Sequence, residues 1–296
     1  MHVKPLSKPH TLTALESLVH RTSDTHCAAQ LYELNKRYQL EHAFMALLNQ
    51  IDHTHFECIW QYQTHHNIYI NLIIITDIAV HLFKFNDYSG LHHIDGDGML
   101  INSTTYTTHA DISELHCMKY SVINVMPETA TQLPVYTKCV MFSENFMLDI
   151  HSYTGDILLK DQILPYLERM SICSKKKKKK KKKNSTISTV LVDTSVIHDI
   201  HLPDFKKGVS CPDCLSLNTL NRFKSLNYCT HCNAVTDSES LFSHNISQFK
   251  AILSEQRLTR RNFAEFTAHY FPPFILTKLL NKHFQKFGTT KGAYYI

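Results

Sequence analysis

The segment Cys211-Pro212-Asp213-Cys214 is followed, after fourteen residues, by Cys229-Thr230-His231-Cys232. Each C-x-x-C turn offers two thiolates to one ion, and the residues between the turns are long enough for a β-hairpin that returns the second pair to the first. Four thiolates suit tetrahedral Zn²⁺ and leave no open position for water. The spacing therefore predicts a structural zinc ribbon without chemistry of its own. Four unrelated thiols, or two disulfides, are the alternatives.

The rest of the composition favours a soluble chain in a reducing compartment. Five further cysteines stand singly, and single buried thiols usually behave as small hydrophobic residues. The ribbon needs reduced thiols, and the start of the chain has no signal peptide, so we expect a cytoplasmic protein. The most apolar stretch, 68–83, is interrupted by Asn71, Asp77 and His81. It is too short and too polar to span a bilayer, and no membrane partner is expected.

Charge divides the chain into two unlike parts. Residues 1–173 carry 10 Lys and Arg against 18 Asp and Glu, a net charge of −8. Residues 174–296 carry 21 against 8, a net charge of +13. A basic part that contains a ribbon favours an anionic partner, most simply nucleic acid.

Two groups of lysines are candidates for phosphate contacts. The run Lys175 to Lys183 repels itself, so it is expected to be disordered or a solvated helix end. It is either a phosphate-binding tether or a tract that the fold tolerates. Lys278, Lys282 and Lys286 are spaced one helical turn apart, which predicts either a phosphate-facing stripe or the solvated face of a packed helix.

Hydrophobic patterning predicts an α/β domain that ends near residue 172. Apolar residues recur at helical spacing over 11–21 and 25–51. Residues 56–63, 68–76 and 78–86 are rich in Ile, Val, Phe and Tyr, as strands are. The same patterns predict a hairpin turn at 95–98, a helix over 111–124, a strand over 138–142 and a helix over 160–170.

A helical tail is predicted after the ribbon. Asp237 or Ser238 can cap its first helix, and Thr259 can cap a short second helix. Pro272-Pro273 then breaks the chain and begins a third helix, which Gly288 is expected to end.

Several segments resemble those of proteins with a nuclease-related domain (NERD). These are the opening Met1-His2-Val3-Lys4-Pro5-Leu6-Ser7-Lys8-Pro9, the stretch 68–90, the ribbon and the ending 288–296. The second of these ends Leu82-Phe83-Lys84-Phe85-Asn86-Asp87-Tyr88-Ser89-Gly90, where that family has a pattern close to L-F-E-V-K-N-Y-x-G. The shared order of segments carries the resemblance. It implies a restriction-endonuclease-like core of the PD-(D/E)xK class, in which an Asp and a Glu hold Mg²⁺.

The chain departs from the family pattern at the catalytic positions. Asn71 stands at the Asp position, Lys84 at the Glu position and Asn86 at the Lys position. Only the helix Glu is retained, as Glu41. An amide and an ammonium are poor substitutes for the anionic oxygens that a hard cation prefers, so we expect no Mg²⁺ site and no catalytic residue.

The combined prediction is a degenerate nuclease-like protein that binds zinc structurally and binds nucleic acid, DNA rather than RNA. Two alternatives remain open: an active Mg²⁺-dependent nuclease that uses other residues, and a scaffold whose ribbon and tail bind another protein. The predicted organisation is a NERD-like domain at 1–173, a basic linker at 174–208, a zinc ribbon at 209–236 and a helical region at 237–296.

Overall fold

Two compact units make up the computed structural model, which describes residues 2–109, 111–127, 133–149, 151, 155–175, 181–195, 204–289 and 292–296. Unit 1 contains residues 1–7 and 36–198, and unit 2 contains residues 8–35 and 199–296. The division differs from the predicted one because residues 8–35 group with the C-terminal part of the chain rather than with the predicted 1–173 domain.

Unit 1 is built on a mixed six-stranded sheet with the order β1-β2-β3-β4-β8-β10. Strands β2, β3 and β4 form an antiparallel meander, while β8 is parallel to β4 and β10 is parallel to β8. Its strands are β1 (His2–Lys4), β2 (Glu57–Gln63), β3 (Tyr69–Ile75), β4 (Val80–Asn86), β8 (Val135–Met141) and β10 (Ile157–Leu159).

Helices cover both faces of this sheet. One face packs an aromatic-rich cluster that includes Phe44, Trp60 and Phe85, and the other packs an aliphatic cluster that includes Ile73, Leu82 and Met118. Burial on both faces explains why β3 is a nearly continuous apolar run rather than an alternating one. The helices are α2 (Thr25–Leu48), α3 (Asp111–Val125), α4 (Lys160–Lys175) and α5 (Lys181–Thr194).

A second, four-stranded sheet with the order β7-β6-β5-β9 lies in the chain between β4 and β10. The predicted hairpin turn at 95–98 joins β5 to β6, and the Asp95 carboxylate accepts hydrogen bonds from the backbone N–H groups of Asp97 and Met99. The strands are β5 (Gly90–Ile94), β6 (Leu100–Asn102), β7 (Thr108–His109) and β9 (Phe146–Leu148).

Part of the predicted basic linker is an ordered helix of unit 1. Ile187 and Leu191 of α5 are fully buried in the aliphatic cluster, and the Thr194 hydroxyl lies 3.1 Å from the Tyr62 hydroxyl. An apolar spacing of four residues is helical, but a neighbouring lysine run obscured it in the sequence.

Unit 2 combines helices with a small antiparallel sheet of the order β11-β12-β13. Asp237 and Thr259 cap α6 and α7 through side-chain hydrogen bonds, as their sequence positions predicted. The elements are α1 (His10–Leu18), β11 (Leu220–Phe223), β12 (Leu226–Cys229), β13 (Val235–Asp237), α6 (Ser238–Ile252), α7 (Arg260–Phe266), α8 (Pro273–His283), β14 (Lys286–Phe287) and β15 (Tyr294–Tyr295).

The last helix ends one turn earlier than predicted. Phe284 is extended, with φ −137° and ψ 148°, and the chain then forms β14, which pairs with β15. Gly288 adopts a positive φ of +81° in the turn that follows β14, not at a helix end. Backbone pairing with a strand near the C-terminus therefore ended the helix, and no local residue signals such a contact.

A buried arginine ties the N-terminal segment of unit 2 to α6. Arg21 is only 1% exposed, and its guanidinium donates to Gln248 Oε1, Asn245 Oδ1 and the Gly208 carbonyl at 2.6–3.3 Å. It also lies 4.3 Å from the centre of the Phe266 ring. Burial lowers the pKa of Arg21 to about 10, which leaves it charged at neutral pH.

Removal of this cation should destabilise the protein. Arg21→Ala removes four buried hydrogen bonds and opens a cavity, so we expect a loss of about 3 kcal/mol in the free energy of unfolding. Urea titration followed by circular dichroism measures it. Arg261→Ala is the control, because Arg261 is 86% exposed and its removal should change stability by less than about 0.5 kcal/mol. Equal effects of the two substitutions would contradict this role for Arg21.

Candidate metal centre and the buried Glu41 cluster

Two backbone turns of the same design present the four ribbon cysteines. In each turn the residue after the second cysteine donates its backbone N–H to the carbonyl of the first cysteine. Leu215 donates to Cys211 at 3.0 Å, and Asn233 donates to Cys229 at 2.9 Å. Both donors have a positive φ, 60° for Leu215 and 62° for Asn233. Each turn thus aims two sulfurs toward one point, and the β11–β12 hairpin carries the second turn back to the first.

The four sulfur atoms have the spacing that a tetrahedral zinc ion requires. The ligand atoms of Cys211, Cys214, Cys229 and Cys232 all lie within 4.8 Å of one another. The Cys211–Cys232 and Cys214–Cys229 sulfur separations are 3.8 and 3.7 Å. A regular tetrahedron with metal–sulfur bonds of about 2.3 Å has sulfur–sulfur edges of about 3.8 Å, so these thiols could hold a zinc ion.

Hydrogen bonds favour the charged, metal-binding form of two of the four thiols, Cys214 and Cys229, while burial and the neighbouring thiols raise the pKa of Cys211 and Cys232. The hydroxyl and backbone groups of Ser216 lower the pKa of Cys214 to about 5. The Thr219 hydroxyl lies 3.2 Å from the sulfur of Cys229. Thiolates rather than thiols are metal ligands, and donors in the surrounding layer orient them. Sequence spacing identified the cysteines but could not identify these partners.

A second cluster surrounds the fully buried carboxylate of Glu41 on α2. Its Oε1 accepts hydrogen bonds from Tyr69 Oη and Asn71 Nδ2, both at 2.9 Å, and its Oε2 accepts one from Gln61 Nε2 at 2.8 Å. All three donors are uncharged and lie on β2 or β3. The helix carboxylate is therefore fixed to the sheet by neutral groups.

The orientation of Asn71 is set by a second hydrogen bond. Its Oδ1 accepts the backbone N–H of Phe85 at 2.9 Å, which leaves only the Nδ2 donor to face Glu41. A carboxylate at this position would offer an oxygen, as a metal ion needs, whereas the amide nitrogen offers hydrogens. Asn71 and Glu41 thus form a hydrogen-bonded pair in which no oxygen of Asn71 is turned toward Glu41.

Burial and nearby cations act in opposite directions on Glu41. Desolvation raises the pKa of Glu41, while its three hydrogen bonds and the charge of Arg37 partly oppose that rise. Arg37 itself lies 4.2 Å from the centre of the Tyr69 ring. Lys4 donates to the Gln61 carbonyl at 2.8 Å, and burial lowers its pKa although Glu41 opposes this. The ionisable groups Glu41 and Lys4 are thus partly shielded from water.

The structure places the other two predicted positions on the opposite face of the sheet. Lys84 alternates with Phe83 and Phe85, which belong to the aromatic cluster on the α2 side. Its ammonium forms an ion pair with Glu114 of α3, and Asn86 donates from Nδ2 to the Cys139 sulfur at 3.2 Å. Lys84, at the Glu position of the family pattern, therefore lies on the other side of the sheet from Glu41 and Asn71, because strand alternation turns it away.

The predicted lysines do not assemble into a stripe. Lys286 lies on β14 rather than on α8, and Lys282 donates to both oxygens of Glu239 at 2.6–2.7 Å, so only Lys278 and Lys282 share the helix. The backbone of Lys175 ends α4 and that of Lys183 lies in the first turn of α5, while residues 176–180 of the lysine run lie outside the described residues.

Gln61 and Tyr69 were missed as members of the Glu41 cluster. Gln61 has a positive φ of 55°, and the register of β2 and β3 skips the pair Gln61 and Asn71. At this unpaired position the side chains of Gln61 and Asn71 both bond to Glu41. A period-2 reading of the sequence assigns them no common face.

Comparisons with models of known protein families, with curated proteins and with solved structures found no match to this chain. In the part of the chain that the structure describes, every helix is too short or too polar to span a bilayer.

We predict that the purified protein contains about one zinc per chain, as a four-thiolate site should. Cys229→Ser removes one of four ligands and should abolish stoichiometric zinc, as measured by plasma mass spectrometry after dialysis. Cys117→Ser is the control, since Cys117 is an exposed single cysteine on α3. Full zinc content in Cys229→Ser would contradict the site.

We predict that Glu41→Gln changes how stability depends on pH. A raised pKa means that the folded state binds the proton more tightly, so the contribution of Glu41 to stability falls as pH rises from its ordinary pKa to its folded one. The glutamine variant lacks this loss, provided that Gln61 turns its amide over. The free energy of unfolding of Glu41→Gln should therefore rise relative to that of the wild type as pH rises. The relative increase should be about 1.4 kcal/mol for each unit by which the pKa is raised.

Urea titrations from pH 4 to pH 9 measure this difference. The range begins near the ordinary pKa of a glutamate, about 4.3, and extends above it. Glu168→Gln, at an exposed position of α4, serves as the control and should run parallel to the wild type. Parallel curves for Glu41→Gln and the wild type would show that the Glu41 pKa is not raised.

Proposed function

We propose that this chain is a nuclease-related protein with a restriction-endonuclease-like core that no longer holds a catalytic metal, and that it binds single-stranded nucleic acid, DNA rather than RNA. The observation that carries the proposed loss of catalysis is that uncharged donors already hydrogen-bond both oxygens of Glu41. The observation that carries the binding is an aromatic face on the ribbon sheet. NERD proteins remain the family that the chain resembles.

The order of elements in unit 1 supports the proposed fold. A helix, α2, precedes the antiparallel meander β2-β3-β4, and α3 then leads to β8, which pairs parallel to β4. The resemblance implies a site to which the first helix contributes a Glu and one strand contributes the residue at the Asp position. Glu41 and Asn71 meet at this place, with 2.9 Å between Oε1 and Nδ2.

The polar contacts of this cluster support the proposed loss of catalysis. Mg²⁺ prefers six oxygen ligands, commonly with one or two carboxylates from the protein. Glu41 is the one carboxylate of the predicted catalytic positions, and uncharged donors already contact both of its oxygens. A metal ion would have to displace Asn71 from Glu41, and Asn71 is anchored by the Phe85 N–H.

The ribbon sheet offers the binding face. Phe223 is paired with Leu226, and Tyr228 with Val235, so these four side chains share one face of the β11-β12-β13 sheet. Their exposed fractions are 70%, 48%, 42% and 60% in the order Phe223, Leu226, Tyr228, Val235. A sheet face with several large apolar side chains in solvent is typical of an interaction surface.

Bases of a single strand suit this face better than a duplex does. Exposed aromatic rings stack on unpaired bases, whereas stacked bases inside a duplex present no free ring face. Lys224, at the hairpin tip, lies 5.5 Å from the centre of the Phe223 ring and can contact the adjoining phosphate. The combination of ring and cation is what favours nucleic acid as the partner.

A protein partner is the second candidate for the same face. Leu226 and Val235 are aliphatic, and aliphatic side chains contribute to protein interfaces without stacking on bases. The two candidates differ in salt dependence, because phosphate contacts release counterions while apolar protein contacts do not.

Cleavage and binding assays on the same preparation test the proposal. Plasmid and single-stranded DNA should remain intact with Mg²⁺ or Mn²⁺, while an oligonucleotide binds with an affinity that falls as salt rises. Cleavage that Glu41→Ala abolishes would establish instead an active nuclease. Absence of any DNA or RNA binding would leave the protein partner as the function of the ribbon.

We predict that Phe223→Ala weakens binding of a single-stranded oligonucleotide by about 5- to 150-fold, since base stacking on one aromatic ring is worth about 1–3 kcal/mol. Fluorescence anisotropy measures the affinity. Phe274→Ala is the matched control, because Phe274 is an even more exposed phenylalanine of unit 2, on α8. Equal affinities of the two variants would exclude the ribbon face as the binding site.

A further inference from the structure

A cavity in unit 1 has no part in the proposed function. It has a volume of about 610 Å³ and lies beside α4 and the adjoining ends of β4 and β8. A volume of roughly 300–1,000 Å³ is usual for sites that take one small molecule. Apolar side chains form much of its wall, among them Ile78, Leu158 and Met170.

Aromatic rings supply one wall of this cavity. His81 and Tyr136 are cross-strand neighbours on β4 and β8, with their rings stacked at 5.4 Å and 29°. Tyr136 is 48% exposed although both residues line the cavity. A tyrosine supported from behind by a buried ring presents its other face to a planar ligand.

The buried ring behind Tyr136 is uncharged. His81 is only 7% exposed, and Nδ1 is hydrogen-bonded to Tyr166 Oη at 2.9 Å. Burial, with a smaller effect of the Lys138 charge, lowers the pKa of His81 to about 4. The ring is thus neutral at pH 7, so it supports Tyr136 without adding charge to the cavity wall.

Arg169 of α4 supplies positive charge for an anionic group of a ligand. Arg169 is exposed at the edge of the cavity, and in the described part of the chain its one hydrogen bond runs from Nε to the Pro165 carbonyl at 3.3 Å. Lys138, the other cation of the lining, is engaged by Asp156 at 3.7 Å. The terminal nitrogens of Arg169 are therefore available for bidentate contact with a phosphate.

We propose that this cavity binds a single nucleotide, with its base stacked on Tyr136 and its phosphate at Arg169. The site is separate from the ribbon face and does not depend on the proposed function. A planar heteroaromatic ring with one anionic group is a ligand that suits these two contacts together.

Isothermal titration calorimetry of the full chain with AMP, GMP, CMP and UMP tests the site. At least one of the four should bind, and its uncharged nucleoside should bind more weakly. Tyr136→Ala should weaken binding by about 5- to 150-fold through loss of stacking. Arg169→Gln should weaken binding of the monophosphate and leave binding of the nucleoside unchanged, since only the phosphate contact is lost.

Matched controls separate local effects from general ones. Tyr120→Ala removes a tyrosine of α3 that is 66% exposed and outside the cavity, and Lys119→Gln removes one exposed positive charge from the same helix. Both should bind as the wild type does. Failure of all four monophosphates to bind the folded wild type, or wild-type affinity in Tyr136→Ala, would overturn the proposal. Loss of DNA binding in Phe223→Ala alone would not bear on it.

Discussion

Burial of the Glu41 carboxylate is the constraint on which the architecture of unit 1 depends. A charge taken out of water costs several kcal/mol unless hydrogen bonds replace its hydration. Gln61, Tyr69 and Asn71 supply those bonds from two adjacent strands, and in doing so they set the position of α2 over the sheet. Gln61 has a positive φ and is not paired with Asn71 in the ladder, and both side chains bond to the carboxylate from this position.

The same constraint connects the fold to the proposed loss of catalysis. Asn71 serves the helix with its nitrogen and the β4 backbone with its oxygen, so it acts as a link between three elements. A residue that is held at both ends stabilises the sheet, and its side-chain oxygen faces the β4 backbone rather than Glu41. In the proposed function, the position that holds a catalytic metal in active nucleases serves here to pack α2 against the sheet.

Unit 2 meets a different difficulty, because a small ribbon has too little apolar surface to form a core of its own. A phenylalanine-rich cluster around α6 supplies apolar surface beside the ribbon, whose four cysteines could hold a zinc ion. The Arg21 network then joins segments that are 187 to 227 residues apart in the chain. The exposed ring of Phe223 is left on the face that these contacts do not use.

Local patterns by themselves determined the strands β2 to β4, the helices of the first 125 residues, the Asp237 and Thr259 caps and the four ribbon cysteines, because periodicity, capping and ligand spacing act over a few residues. Tertiary structure alone decided the end of α8, the partners of Arg21, the face of Lys84 and the cavity beside Tyr136. Each of these depends on contacts between distant segments, and the physical reason is that burial, strand register and charge pairing are set only when those segments meet.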